Sequence, residues 1–107
     1  MNRLTQPLDA NSNSAMGLNF SGYDDAVVLA AGVAQTYTIP TGAKSLLFSA
    51  TDDFYVQEKG GAAAVPVATT ATGAAPILNP VIRTVGALTT ISLISPRACI
   101  VIISSYL

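Results

Sequence analysis

The stretch Thr89-Thr90-Ile91-Ser92-Leu93-Ile94-Ser95-Pro96-Arg97-Ala98-Cys99-Ile100-Val101-Ile102-Ile103-Ser104-Ser105-Tyr106 decides the fold class. In its first half Ile91 and Leu93 fall opposite Thr90, Ser92 and Ile94, the period of two that marks a strand. Pro96-Arg97 then turns the chain, since proline has no N–H to give to a ladder. Ala98 to Tyr106 follows as a second strand with two apolar faces, Cys99, Val101 and Ile103 on one and Ile100 and Ile102 on the other. Such a strand is either central and covered on both sides, or it offers one face to another subunit. Both readings stand at this stage.

Upstream the pattern repeats in shorter pieces. Val27 to Ala30 is a short apolar run ended by Gly32. Gln35 to Ile39 sets Tyr37 and Ile39 against Thr36 and Thr38, and Pro40-Thr41-Gly42 punctuates it. Ser45 to Ala50 places Leu46 and Phe48 on one face and Ser45, Leu47 and Ser49 on the other. Asp52-Asp53 marks a turn before Phe54 to Gln57, and Gly60-Gly61 can supply the positive φ angles of a tight hairpin. The periodic segments are dominated by Val, Ile, Thr, Tyr and Phe, which fit pleated surfaces. No stretch shows the i, i+3, i+4 spacing of a long amphipathic helix. The expected fold is all-β: a small antiparallel β-sandwich, jelly-roll-like, or a small barrel.

Two segments stand apart. Residues 1–25 are rich in Asn and lack apolar alternation, with Leu4, Leu8, Met16, Leu18, Phe20 and Tyr23 as spaced anchors. They read either as a loose tail or as an extended N-terminal arm that lays Leu18, Phe20 and Tyr23 on a neighbour. Residues 26–107 then form a single β-sandwich domain. Within it, Gly61 to Asn79 is rich in Ala, Thr and Pro and carries no charge. It reads as a loop that packs Val65 and Val67 on a partner, or as a slack loop with an edge strand there, since Pro66 is tolerated only at an edge.

The composition narrows the function. The chain has 107 residues, 50% of them hydrophobic and only 10% charged. Ordinary soluble domains carry about 25% charged residues. A compact monomer of this size exposes on the order of 5,600 Å², or about one charge per 500 Å². That profile suits a surface that ends up against other protein. Five Lys and Arg and a net charge of −1 leave little to neutralise phosphates, so nucleic-acid binding through a basic face is excluded. No apolar run reaches the 18–20 or so residues of a membrane-spanning helix, and the N-terminus has no signal-peptide core. Cys99 is the only cysteine and lies in the most apolar run, where a thiol behaves as a small buried hydrophobe.

Catalytic groups are scarce. The absence of histidine removes Ser-His-Asp and Cys-His chemistry and, with one cysteine, an ordinary zinc site. Asp24-Asp25 and Asp52-Asp53 are adjacent pairs whose side chains diverge on a strand, and they lack calcium-loop spacing. No catalytic residue, metal, cofactor or small-molecule substrate is expected. Tyr55 beside Asp52 and Asp53 is the one candidate sugar contact. Arg83 and Arg97 each follow a proline turn, in Asn79-Pro80-Val81-Ile82-Arg83 and Ser95-Pro96-Arg97. Each is a candidate for a bidentate contact across an interface or a solvated turn charge.

The runs Asp53-Phe54-Tyr55-Val56-Gln57, Gly60-Gly61-Ala62-Ala63-Ala64-Val65-Pro66, Asn79-Pro80 with Arg83, and Ile91-Ser92-Leu93-Ile94-Ser95-Pro96 resemble a group of small β-rich virion proteins of tailed bacteriophages. The resemblance covers roughly Val27 to Leu107. It implies a non-enzymatic capsid decoration (cement) protein on the capsid surface, assembled in the host cytoplasm. Its partners would be the major capsid protein and copies of itself, as a trimer or dimer. The alternative is a tail or fibre accessory module that binds a host-surface receptor or glycan.

Overall fold

Eight strands make up the regular structure among the described residues, which are 1–6, 10–11, 17–67, 69–70 and 72–107 of a computed structural model. In chain order they are β1 (Asp24–Leu29), β2 (Gln35–Thr38), β3 (Ser45–Ala50), β4 (Tyr55–Gln57), β5 (Ile77–Leu78), β6 (Ile82–Thr84), β7 (Thr90–Ile94) and β8 (Cys99–Tyr106). Two four-stranded antiparallel sheets result: β1-β8-β3-β6 and β2-β7-β4-β5. The fold is all-β, a small β-sandwich.

One rule generates both sheets. The pairs β1/β8, β2/β7, β3/β6 and β4/β5 are all antiparallel, so the chain folds as one long ribbon that doubles back between β4 and β5. Winding that ribbon brings β3 beside β8 and β4 beside β7, which completes the sheets. This is jelly-roll connectivity. The chargeless segment is therefore the ribbon's end. Gly60 and Gly61 take φ of 86° and 77°, as a hairpin reading requires. Yet they begin the connection from β4 to β5 in place of a two-residue turn, and among the described residues no strand forms around Val65 and Val67.

Burial follows the alternation read from the sequence. Leu46 and Phe48 of β3, Tyr37 of β2, Ile91 and Leu93 of β7, and Val101 and Ile103 of β8 meet in one core between the sheets. Leu93, Val101 and Ile103 are wholly buried. Cys99 joins this core as a free thiol, its Sγ 3.4 Å from the Asp52 carbonyl oxygen. The strand boundary near the N-terminus differs from expectation by two residues. Asp24 and Asp25, the last of the expected arm, already pair with Ser104 and Ile103 and belong to the sandwich.

Candidate interaction surface

Three regions outside the core carry unusual chemistry, and the ribbon places all of them. The first is the root of the N-terminal arm. Asn2 N–H donates to the Ser21 carbonyl at 2.6 Å, and Leu107 N–H donates to the Asn2 carbonyl at 2.9 Å. Asn19 acts as a clasp: its Oδ1 accepts from Thr5 N–H and its Nδ2 donates to the Arg3 carbonyl, both at 2.8 Å. The buried Tyr106 closes the joint, its hydroxyl donating to the Asn19 carbonyl at 2.6 Å. The two ends of the arm are thus fastened to each other and to the C-terminus. Leu8 and Met16 lie outside the described residues. Leu18 and Tyr23 are 41% and 43% exposed, while Phe20 is 93% exposed. Phe20 is thus an almost fully exposed aromatic ring beside the fastened arm.

The second region is the outer face of the first sheet. Val28 stands opposite Ile100, and Ala26 and Ser49 flank Ile102. Val28, Ile100 and Ile102 remain 67%, 43% and 36% exposed. The first charge met along this face is Asp24 at its end, where Ser104 and Ser21 both donate to Oδ1. β8 is central in its sheet, with one face in the core and the other open at Ile100 and Ile102, which removes the reading that both faces are covered along its length.

The third region is the corner where β3, β4 and β7 end. Arg97 grips Asp52 with Nε at 3.0 Å and Nη2 at 3.4 Å, so its fork is engaged within the chain. The guanidinium holds the Asp52 carboxyl below its ordinary range, helped by the Asp53 N–H. Asn79, at a φ of 47°, donates to Asp53 Oδ1 at 2.8 Å and accepts from Phe54 N–H at 3.0 Å. Asp52, Asp53, Phe54 and Asn79 border a cleft of about 350 Å³ that reaches Pro80 and Val81. Tyr55 is absent from its lining. As the odd residue between the buried Phe54 and Val56, it points to the opposite side of the sheet. The structure does not bring together the tyrosine and the acids that a sugar site would combine.

Arg83 sits directly opposite Leu46 on the edge strand β6, and its Nη1 donates to the Ile82 carbonyl beside it. It lines the mouth of an apolar cavity of about 250 Å³ between the sheets, walled by Leu46, Phe48, Val56 and Ile91. Glu58, the other charge there, pairs with Lys59 at 2.9 Å, which lowers its carboxyl pKa. Val65 is half-buried and Val67 is 98% exposed, in a segment anchored by Ala63, whose N–H donates to the buried Ser92 Oγ at 2.9 Å.

One polar tie escaped sequence reasoning. Tyr37 of β2 donates its hydroxyl to Asp25 Oδ2 of β1 at 2.6 Å, linking the two sheets at one side of the sandwich. Burial and the adjacent carboxylate push the phenol pKa well above its ordinary value. Among the described residues no group of three or more His, Cys, Asp or Glu is placed to hold a metal ion. Nor is any helix among them long and apolar enough to cross a membrane. No protein-family model, curated protein or solved structure matches the chain.

Proposed function

We propose that this chain is a non-enzymatic virion structural protein, a capsid decoration (cement) protein that binds and braces major capsid protein subunits and associates with copies of itself. The observation that carries the reading is the pairing of a nearly uncharged surface with bare apolar side chains. Eleven charged side chains share 6603 Å² of accessible surface, about one per 600 Å². Against that background Phe20, Val67 and Val28 stand out in water at 93%, 98% and 67% exposure. Burying Ala, Thr, Ser and isolated apolar side chains against a neighbour desolvates almost no charge, which suits a shell component. Jelly rolls also occur in viral capsid domains, a fold-level analogy that adds weight without identifying a site. The glycan-binding alternative has less support, because Tyr55 lies outside the Asp52–Asp53 cleft.

The test is attachment. Phe20 and Val67 lie outside the core cluster, so Phe20→Ser with Val67→Ser is expected to leave the sandwich folded by circular dichroism. Capsids imaged with the double variant should lose most of the copies bound by the natural protein. Full occupancy by the variant would refute this reading of the surface. Deleting residues 1–23 is a blunter instrument, since it also removes the Asn19 contact of Tyr106 and the Tyr23 carbonyl that accepts from Ser105.

A further inference from the structure

A β-sandwich has four edge strands, and here they are unequal. β2, β5 and β6 have four, two and three residues. Pro76 and Pro80 flank the last two, and the next proline after β2 is Pro40. Short edges and prolines are the usual means of keeping unpaired backbone from recruiting another strand. β1, with six residues, has neither: Asp24-Asp25-Ala26-Val27-Val28-Leu29 holds no Lys, Pro or Gly, and its pairing with β8 runs without a bulge.

Its backbone polarity is fixed by one bond. Ser105 N–H donates to the Tyr23 carbonyl, so the odd-numbered residues of β1 face β8. Asp24, Ala26 and Val28 turn their N–H and C=O groups out to the open edge. Among the described residues nothing is bonded to those groups.

We propose that β1 pairs with itself: two copies of this chain join antiparallel along β1, about a two-fold axis through Ala26, into one continuous eight-stranded sheet. The sequence is self-complementary in that register. Ala26 meets Ala26 of the second copy, and Asp24 meets its Val28, so the outward-facing groups of both strands match. The inner-face neighbours are Asp25 against Val27, and Tyr23 comes opposite Leu29. No carboxylate lies directly opposite a carboxylate; the nearest pair, the two Asp25, meets on the diagonal at about 8 Å, and each Asp25 already accepts a hydrogen bond from Tyr37 of its own copy. The two Asp24 side chains end up about 14 Å apart, beyond the screening length at physiological salt. The pairing also makes the open face of Val28, Ile100 and Ile102 continuous across both copies. It deepens the self-association part of the proposed function and does not require that the other partner be a capsid.

Sedimentation of the full chain at about 0.1 mM, a concentration suited to a small interface, tests it. The natural protein should be a dimer. Ala26→Pro removes an N–H that the β1–β8 ladder does not use, and should weaken the dimer at least about tenfold while the fold persists. Val28→Asp, which sets a carboxylate opposite Asp24, should weaken it similarly. Val28→Lys, which sets an ammonium there, should preserve or tighten it. A monomeric or trimeric natural protein overturns the proposal, as does a dimer indifferent to both Ala26→Pro and Val28→Asp. Equal disruption by Val28→Asp and Val28→Lys overturns the register. The two Val28 variants change an exposed side chain, so they decide the matter even if Ala26→Pro does not fold. Loss of capsid attachment with the dimer intact would count against the capsid reading alone.

Discussion

Two of the four central strands, β7 and β8, have exchanged the environments their sequences suggest. β7 reads Thr-Ile-Ser-Leu-Ile, a half-polar pattern suited to a sheet with one wet face, yet all but Thr90 are buried. β8 reads Cys-Ile-Val-Ile-Ile-Ser-Ser-Tyr, apolar on both faces over its first five residues, yet Ile100 and Ile102 stay open. The difference comes from where the chain lays its own irregular segments. The ribbon's end returns over β7, with Ala63 bonded to Ser92, whereas among the described residues the N-terminal arm reaches β8 only at its Tyr106 end, through Asn19, and leaves Ile100 and Ile102 exposed. A serine hydroxyl becomes a buried docking point for backbone, while Ile100 and Ile102 stay in contact with water. Water-facing apolar residues on a central strand are the feature on which the proposed interaction surface rests.

Substitution tests that contrast directly. The largest effect is expected from Ile94→Ser on the covered outer face of β7, about 3 kcal/mol or more in urea unfolding, because Ile94 is 5% exposed. Next comes Ser92→Ala, which strips the Ala63 N–H of its acceptor. It should cost about 1–3 kcal/mol and speed amide exchange at Ala63. Ile100→Ser, the equivalent change on the outer face of β8, should cost about 1 kcal/mol or less. If Ile100→Ser proves as damaging as Ile94→Ser in the monomer, the two faces do not differ as described.

Tyr37→Phe probes the tie between the sheets at the β1 side and should cost about 1 kcal/mol near neutral pH. Its pH dependence has a defined sign. Burial and Asp25 raise the phenol pKa in the folded state, so the unfolded chain releases this proton first. The stabilisation is complete below the unfolded value of about 10 and declines as pH rises above it. The natural protein should therefore lose stability above pH 10 more steeply than Tyr37→Phe, as read from unfolding midpoints. The smallest effect belongs to Arg97→Ala at the exposed corner. The Asp52 carboxyl is lowered in the fold, so the contribution of the pair is present above the ordinary carboxylate pKa and disappears as pH falls through the folded value. The midpoint should move little at neutral pH and not at all in strong acid.

The legible part of the molecule was the part governed by local alternation. Leu46 and Phe48 face inward as their spacing with Ser45 and Ser49 demands, and the turns at Pro40, Asp52 and Pro96 fall between strands. β5 and β6 were not legible, because two or three residues cannot express a period; neighbouring strands give them their pairing. The candidate contact residues differ in what the fold does with them: Phe20 and Val67 are left exposed, whereas Arg97 spends its fork on Asp52, forty-five positions away. The importance of β1 as an edge was invisible, since an edge is a property of strand order and not of the strand.

The sequence by itself determined that this is an all-β chain, poor in charge, with a buried thiol and apolar strands in excess of what one small core needs. Side-chain period and composition are local quantities, and they survive without knowledge of the fold. Only the tertiary structure decided that β1 pairs with β8, that the chargeless segment ends a doubled ribbon, and that β7 is covered while β8 is not. Those outcomes depend on hydrogen-bonded partners as far apart as Asp24 and Ser104, which sequence distance does not encode.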